Sequence, residues 1–144
     1  MNTLDRDYLS VARAILLNGN KKDDRTGTGT KSLFGNFITF PMIQGFPMLT
    51  TKKVYWKGVV EELKWFLKGD VYAKTLQDKG VKIWDADAAR NGRDDTYLGP
   101  IYGHQWRKKS QYGVQKDQIK LLMEGLRSDP DSRRHLVSSW DVME

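Results

Sequence analysis

Leu4, Tyr8, Val11 and Ile15 follow one another at steps of four, three and four. That spacing stacks apolar groups on one face of a helix, and Asn18-Gly19 supplies a stop that tolerates a left-handed residue. A polar stretch follows, and then a strand is expected over 32–40, with Phe34, Ile38 and Phe40 on one face and Leu33 and Phe37 on the other. Aromatic groups on both faces predict burial on both. Pro41, Gly45 and Pro47 punctuate a loop that leads to Thr50-Thr51-Lys52-Lys53. A second helix is expected over 57–68, closed by Gly69, with Val59, Leu63 and Phe66 as its stripe. A third is expected over 115–126, with Ile119, Leu122 and Leu126 in register, stopping before Ser128-Asp129-Pro130. Arg133-Arg134 then leads into a strand over 135–142, with Leu136, Trp140 and Val142 on one face.

Helices alternating with strands argue for an α/β or α+β fold. Only two strands are convincing, and a two-stranded sheet is marginal by itself. Residues 1–144 therefore read as a single partial domain, one that expects a partner or further chain to finish its sheet. The length, 144 residues, fits one modest domain, with no repeat and no low-complexity tract. No apolar run approaches the ~20 residues of a membrane span, and the first residues lack the basic-then-apolar pattern of a secretory signal, so a cytoplasmic protein is expected. The chain has no cysteine and two histidines. Disulfide frameworks, thiolate zinc sites and Cys nucleophiles are thereby excluded within it, and no metal site is expected. Lys and Arg number 24 against 18 Asp and Glu, a net charge of +6. Such a surplus suggests an anionic partner: nucleic acid, a phosphorylated metabolite or an acidic cofactor.

Glu62 interrupts the pattern of the second helix. It stands three residues after Val59 and four before Phe66, which puts its carboxylate within the apolar stripe. A charge there needs a partner or a task. The plain alternative is a carboxylate satisfied by an Arg, a backbone amide or a helix neighbour; Glu61, one residue earlier, is expected to be solvated. Between Trp84 and Tyr102 runs a polar segment with Asp85, Asp87, Arg90, Arg93, Asp94 and Asp95, too long and too charged for a mere connector. Thr26-Gly27-Thr28-Gly29-Thr30-Lys31-Ser32 fails the P-loop spacing, because Thr30 separates Gly29 from Lys31. Arg25 beside that permissive backbone can offer its fork to a phosphate, or can pair with Asp23 or Asp24 at the surface. Arg133 and Arg134 suit a doubly charged phosphate, although adjacent basic residues are commonly solvated. The five tryptophans read as mostly core. Aromatics interleaved with arginines also admit a single-stranded nucleic acid, on whose bases such rings stack.

The order and wording of the motifs are more specific than any one of them. Asp24-Arg25-Thr26-Gly27-Thr28-Gly29-Thr30, Gly45-Phe46-Pro47 with Thr50-Thr51-Lys52-Lys53, Glu62 with Trp65-Phe66-Leu67, and Gly69-Asp70 come first. Ile83-Trp84-Asp85, Leu98-Gly99-Pro100 with Tyr102-Gly103, Gln105-Trp106-Arg107 and Pro130-Asp131-Ser132-Arg133-Arg134 complete the series. Together they resemble the N-terminal portion of thymidylate synthase, from about Tyr8 to Trp140. The resemblance implies a homodimeric α/β enzyme that transfers a one-carbon unit from 5,10-methylenetetrahydrofolate to C5 of deoxyuridylate (dUMP), giving dTMP, with the folate also supplying hydride and no metal involved. By motif, Arg25 looks like a phosphate-binding arginine, and Arg133 and Arg134 look like the pair that reaches the phosphate in the neighbouring subunit. Glu62 resembles the catalytic glutamate, and Tyr102 the tyrosine that orders the water taking the C5 proton. Trp84 looks like an aromatic wall of the folate site, and Lys52 like a contact for the anionic glutamate tail of the cofactor. Nucleic acid becomes the less favoured partner, and no membrane is implied.

Three positions depart from the usual pattern: Asp87 stands where many bacterial members carry a second Trp, Tyr55 where many have His, and Asp141 where Asn is common. The largest departure concerns the nucleophile, which in the family lies in a Pro-Cys-His segment beyond the strand matching 135–142. A fragment inactive alone is therefore expected, active in a complete polypeptide or with a complementing C-terminal chain, since C5 is not activated without a thiolate at C6. The alternatives are a pyrimidine nucleotide hydroxymethylase of the same family, and a non-catalytic nucleotide-binding or assembly module.

Overall fold

A computed structural model of the chain describes residues 2–24, 27–90, 95–111 and 114–141. The chain divides into two compact units, Met1–Val54 and Tyr55–Glu144.

In the first unit the expected helix forms as α1, Thr3–Asn18. Asn2 caps it by accepting the Asp5 N–H at 2.7 Å, which satisfies one of the donors a helix start leaves free. Gly19 ends it for a different reason than conformational freedom. Its φ is −68°, ordinary extended backbone, but a Cβ there would lie 2.4 Å from the Ile15 carbonyl oxygen. Strands β1, Asn20–Lys22, and β2, Thr30–Ser32, then pair antiparallel, with Lys21 opposite Lys31. Lys31 relieves that like-charge pairing by donating to the Leu16 carbonyl at 2.6 Å, at the electronegative end of α1.

The strand expected over 32–40 stops at Ser32. Residues 33–40 have no ladder partner among the described residues, and Phe34 and Phe37 are almost wholly exposed. Period-two alternation marks faces that can be buried, but a strand exists only where a neighbour takes its backbone hydrogen bonds. Past a 3₁₀ turn at Met42–Gln44, the chain reaches Thr50, whose N–H donates to Asp5 Oδ1 at 2.8 Å and whose hydroxyl donates to Asp5 Oδ2.

The second unit opens with α2, Trp56–Lys68. Gly69 closes it in the left-handed region, φ 68°, with its N–H on the Phe66 carbonyl at 2.9 Å. The buried face is not the expected one. Val59 and Leu63 are exposed, whereas Gly58, Trp65 and Gly69 are buried and Glu62 is half-buried between them. Trp65 is the large side chain of α2 that enters the core, whereas Trp56 is exposed. Next come α3, Lys74–Gln77, and α4, Asp85–Arg90, so the charged segment after Trp84 begins as a helix rather than as a loop. A bridge between Tyr72 and Tyr97 returns the chain to α5, Tyr102–Lys108. Trp65, Ala73, Leu76, Val81, Ala88 and Leu98 form the core, with Phe66, Trp84 and Ile101 packed against it.

Beyond α5, β3 (Lys109–Gln111) and β4 (Val114–Lys116) form an antiparallel pair. The pair occupies part of what was expected to be helix, so α6 starts later, at Gln118–Ser128, capped by Asp117. The strand expected over 135–142 is absent among the described residues, Val142 lying outside them, and Leu136 and Trp140 are exposed. Side chains, not a ladder, hold that segment. Gln118 Nε2 donates to the carbonyls of Gln105 (2.7 Å) and Ser138 (2.8 Å), and Gln118 Oε1 accepts the Ser138 N–H at 2.9 Å. The result is helices packed with small antiparallel sheets, an α/β architecture whose described strands are four short ones rather than the two long ones expected. No helix among the described residues is long and apolar enough to cross a membrane.

Candidate functional site

Two adjacent glutamates on α2 meet different fates. Glu61, expected to be solvated, is instead mostly covered and bound to two ammonium groups, Lys79 and, at 3.6 Å, Lys64. The hydrogen bond from Lys79 is the main reason its carboxyl sits below the ordinary range. Glu62, turned toward the core, meets no cation among the described residues: its Oε1 accepts the Trp84 indole N–H at 2.7 Å. Among the described residues its Oε2 receives no hydrogen bond and no ion pair.

The indole is itself held from several sides. Trp84 stands immediately before α4, where the Ala88 N–H donates to its carbonyl at 3.0 Å. Gln77 on α3 donates to Asp85 Oδ1 at 3.0 Å, which fixes the start of α4. The Trp84 ring packs against Trp65 at 5.7 Å between centroids and presents an edge-on contact to Phe66 at 6.2 Å. Tyr102, the first residue of α5, closes the group: its ring lies 5.5 Å from Phe66 and 6.3 Å from Trp84, and it is half exposed. Tilted and edge contacts of this kind are the stable arrangements of aromatic rings. Phe66 is the hub, since it also meets Trp106 at 5.6 Å.

The structure thus brings Glu62, Trp84 and Tyr102 into one aromatic-walled cluster at the meeting of α2, α4 and α5. Chemically, a carboxylate with one oxygen fixed by a neutral donor and the other open can take up and return a proton or order a water. The rings beside it offer flat apolar surface to a heteroaromatic ligand. Only Trp65 of the five tryptophans belongs to the fully buried core; Trp56 and Trp140 are exposed, contrary to the expectation that most are core.

The other expected residues are not joined to this cluster by any described contact. Arg133 and Arg134 lie on the turn after α6, both exposed and without an ion pair among the described residues. Lys52 is exposed in the first unit, two residues past Thr50. Arg25 falls outside the described residues. Around its loop, Asp24 Oδ1 accepts the Gly29 N–H at 3.1 Å. An open cavity beside β1 and β2 is lined by Lys21, Lys22, Lys31, Thr28 and Thr30. Two departures from the motif pattern now have a physical account. Tyr55 is a packing residue, its ring against Gly58 and its hydroxyl donating to the Gly80 carbonyl at 3.2 Å. Asp87 forms an exposed ion pair with Arg90 at 2.9 Å.

Sequence reasoning missed Phe66 as the hub and Asp5 as an anchor. Phe66 had a signal, its place beside Trp65 on a helix with a misplaced acid. Asp5 had a misleading one, because Asn2-Thr3-Leu4-Asp5 has the spacing of a helix cap. A family model described as thymidylate synthase matches residues 6–144.

Proposed function

The chain belongs to the thymidylate synthase family, and from that premise we propose that it takes part in reductive methylation of dUMP to dTMP with 5,10-methylenetetrahydrofolate. The observation that carries this reading is the Glu62 carboxylate, half-buried, fixed through one oxygen by the Trp84 indole and paired with no cation among the described residues. A merely structural acid would be expected to look like Glu61, neutralised by lysines. The folate, when bound, supplies the one-carbon unit and the hydride. Trp84 and its ring partners give it a face to lie on, and the open oxygen of Glu62 holds a water or proton at the pyrimidine. Tyr102, at the exposed rim, orders the water that receives the C5 proton. Arg25, Arg133 and Arg134 supply phosphate contacts, the last two to the neighbouring subunit of a homodimer, and Lys52 meets the glutamate tail of the folate. The setting is cytoplasmic.

Covalent activation at C6 needs a thiolate, and the 144 residues contain no cysteine. We therefore read residues 1–144 as a partial domain that works with a thiol from further polypeptide. The test supplies dUMP and methylenetetrahydrofolate to the chain alone, and to the chain mixed with a complementing Cys-bearing polypeptide of the family. Dihydrofolate and dTMP should form only in the mixture and should fall sharply with Glu62→Gln. Turnover by the chain alone above its Glu62→Gln control would overturn the proposal. A hydroxymethyl product from the mixture would transfer the assignment to the hydroxymethylases, and preferential binding of single-stranded oligonucleotide over dUMP would transfer it to a non-catalytic module.

A further inference from the structure

Asp5 is the residue of the first unit whose burial is hardest to explain by folding alone. Among the described residues of that unit it is the buried one, only 1% exposed, although a charged group is costly to bury without partners. Its partners are specific. Both carboxylate oxygens are used by a single residue 45 positions away, Thr50, through the backbone N–H at 2.8 Å and the hydroxyl. Residues 46–54 belong to no helix or strand, so this fork is a defined tie between the segment and α1. Two and three residues further on stand Lys52 and Lys53, both exposed and neither in an ion pair among the described residues. A lysine is a point charge on a flexible stem. Where it can meet an anion depends on where its backbone is held.

We propose that Asp5 is a positioning residue: by clamping Thr50 it fixes the backbone from which Lys52 meets the anionic tail of a folate. This rests on the assignment of Lys52 to that tail. Asp5 touches no ligand; it acts through Thr50. The capping contact to Asn2 is a separate matter, since it uses the Asp5 backbone N–H and leaves both carboxylate oxygens to Thr50.

The test uses the 144-residue chain and two probes, pteroylmonoglutamate and pteroyltetra-γ-glutamate, with binding followed by indole fluorescence. The quantity read is the preference for the tetraglutamate over the monoglutamate. Lys52→Gln should reduce that preference by about two- to fivefold, the scale of an exposed charge pair. Asp5→Ala, which removes both acceptors, should reduce it by a similar factor while leaving monoglutamate affinity unchanged, and Thr50→Ser, which keeps both donors, should preserve it. The double variant Asp5→Ala/Lys52→Gln should lose no more than Lys52→Gln alone. If Asp5→Ala does not fold, Thr50→Val, which removes the hydroxyl donor, carries the same expectation. A preference that survives Asp5→Ala and Thr50→Val but not Lys52→Gln would overturn the positioning role and leave Lys52 in place. A loss of affinity for both probes alike would mark Asp5 as structural only. No preference in the unmodified chain, or one that Lys52→Gln leaves intact, would remove the assignment of Lys52 and the proposal with it.

Discussion

Replacing Trp84 by Phe removes one donor, the indole N–H on Glu62 Oε1 at 2.7 Å, and keeps an aromatic ring against Trp65, Phe66 and Tyr102. A hydrogen bond to a charged group contributes about 1.5–3 kcal/mol, and a neutral one about 0.5–1.5 kcal/mol. Trp84→Phe should therefore cost about 1.5–3 kcal/mol through the bond, plus the loss of ring area. In a Glu62→Gln background the amide oxygen still accepts, but without charge, and the same replacement should cost less. The ring-area loss is common to both arms and cancels, leaving a coupling of about 1–1.5 kcal/mol.

The assay is urea unfolding followed by tryptophan fluorescence. All five tryptophans lie in the second unit, so the signal follows that unit alone. With a slope of about 1.5 kcal/mol/M, Trp84→Phe should lower the midpoint by about 1–2 M through the bond, with the loss of ring area adding to that. Effects of Trp84→Phe and Glu62→Gln that add to within about 0.3 kcal/mol would refute the reasoning, because they would mean that the carboxylate charge is not held by the indole.

Three further outcomes follow from the geometry. The Asp5 carboxyl is lowered from its ordinary 3.8, chiefly by the Thr50 hydroxyl, and Glu61 from 4.5, chiefly by Lys79. Groups depressed in the folded state contribute stability that is complete above those ordinary values and is lost as pH falls through the depressed ones, so Lys79→Met should flatten part of the acid limb of a stability-versus-pH curve below about pH 4.5. Gly69→Ala should destabilise by at least about 1–2 kcal/mol in thermal melts, since φ is 68° and the new Cβ would lie 2.8 Å from Arg107 Cβ. Thr96, at φ 59°, accepts the Lys74 N–H through its hydroxyl at 3.2 Å; Thr96→Val keeps the backbone cost and loses the acceptor, for a loss of about 0.5–1.5 kcal/mol, whereas Thr96→Asn, which tolerates that backbone and retains an acceptor, should melt higher than Thr96→Val.

The helices were legible because amphipathic spacing is a local property. The steps from Leu4 to Ile15 placed α1, and Gly69 ended α2 where its left-handed backbone was needed. The strands over 32–40 and 135–142 were not, because a strand is a statement about two segments. Phe34 and Trp140 announce faces that want covering, but neither segment has a ladder partner among the described residues. The stripe of α2 was misassigned for a related reason. Val59, Leu63 and Phe66 obey the period, but so do Gly58, Glu62, Trp65 and Gly69, and it is the second set that faces the core, although Trp56 gives the first an indole of its own. That choice kept Glu62 on the inner side. Asp5 stayed hidden because its partner, Thr50, lies 45 positions away, and no local pattern records such a contact.

What separates a functional acid from a structural one here is the character of the partner. Glu61 and Glu62 share a helix turn, a residue type and a partly covered setting. An ion pair is a neutralised object: with Lys79 and Lys64 on Glu61, little is gained by bringing a further donor or proton to it. The Trp84 indole cannot neutralise anything. It fixes the Glu62 carboxyl group in orientation without bringing a positive charge to it, and leaves Oε2 without a donor among the described residues. Such a group gains most from a ligand that brings a proton or a water to the open oxygen, and the adjoining faces of Trp84, Phe66 and Tyr102 favour a flat ligand in doing so. The sequence could show that an acid was out of place, but only the bond to a neutral donor distinguishes an acid held ready from one that is merely paired.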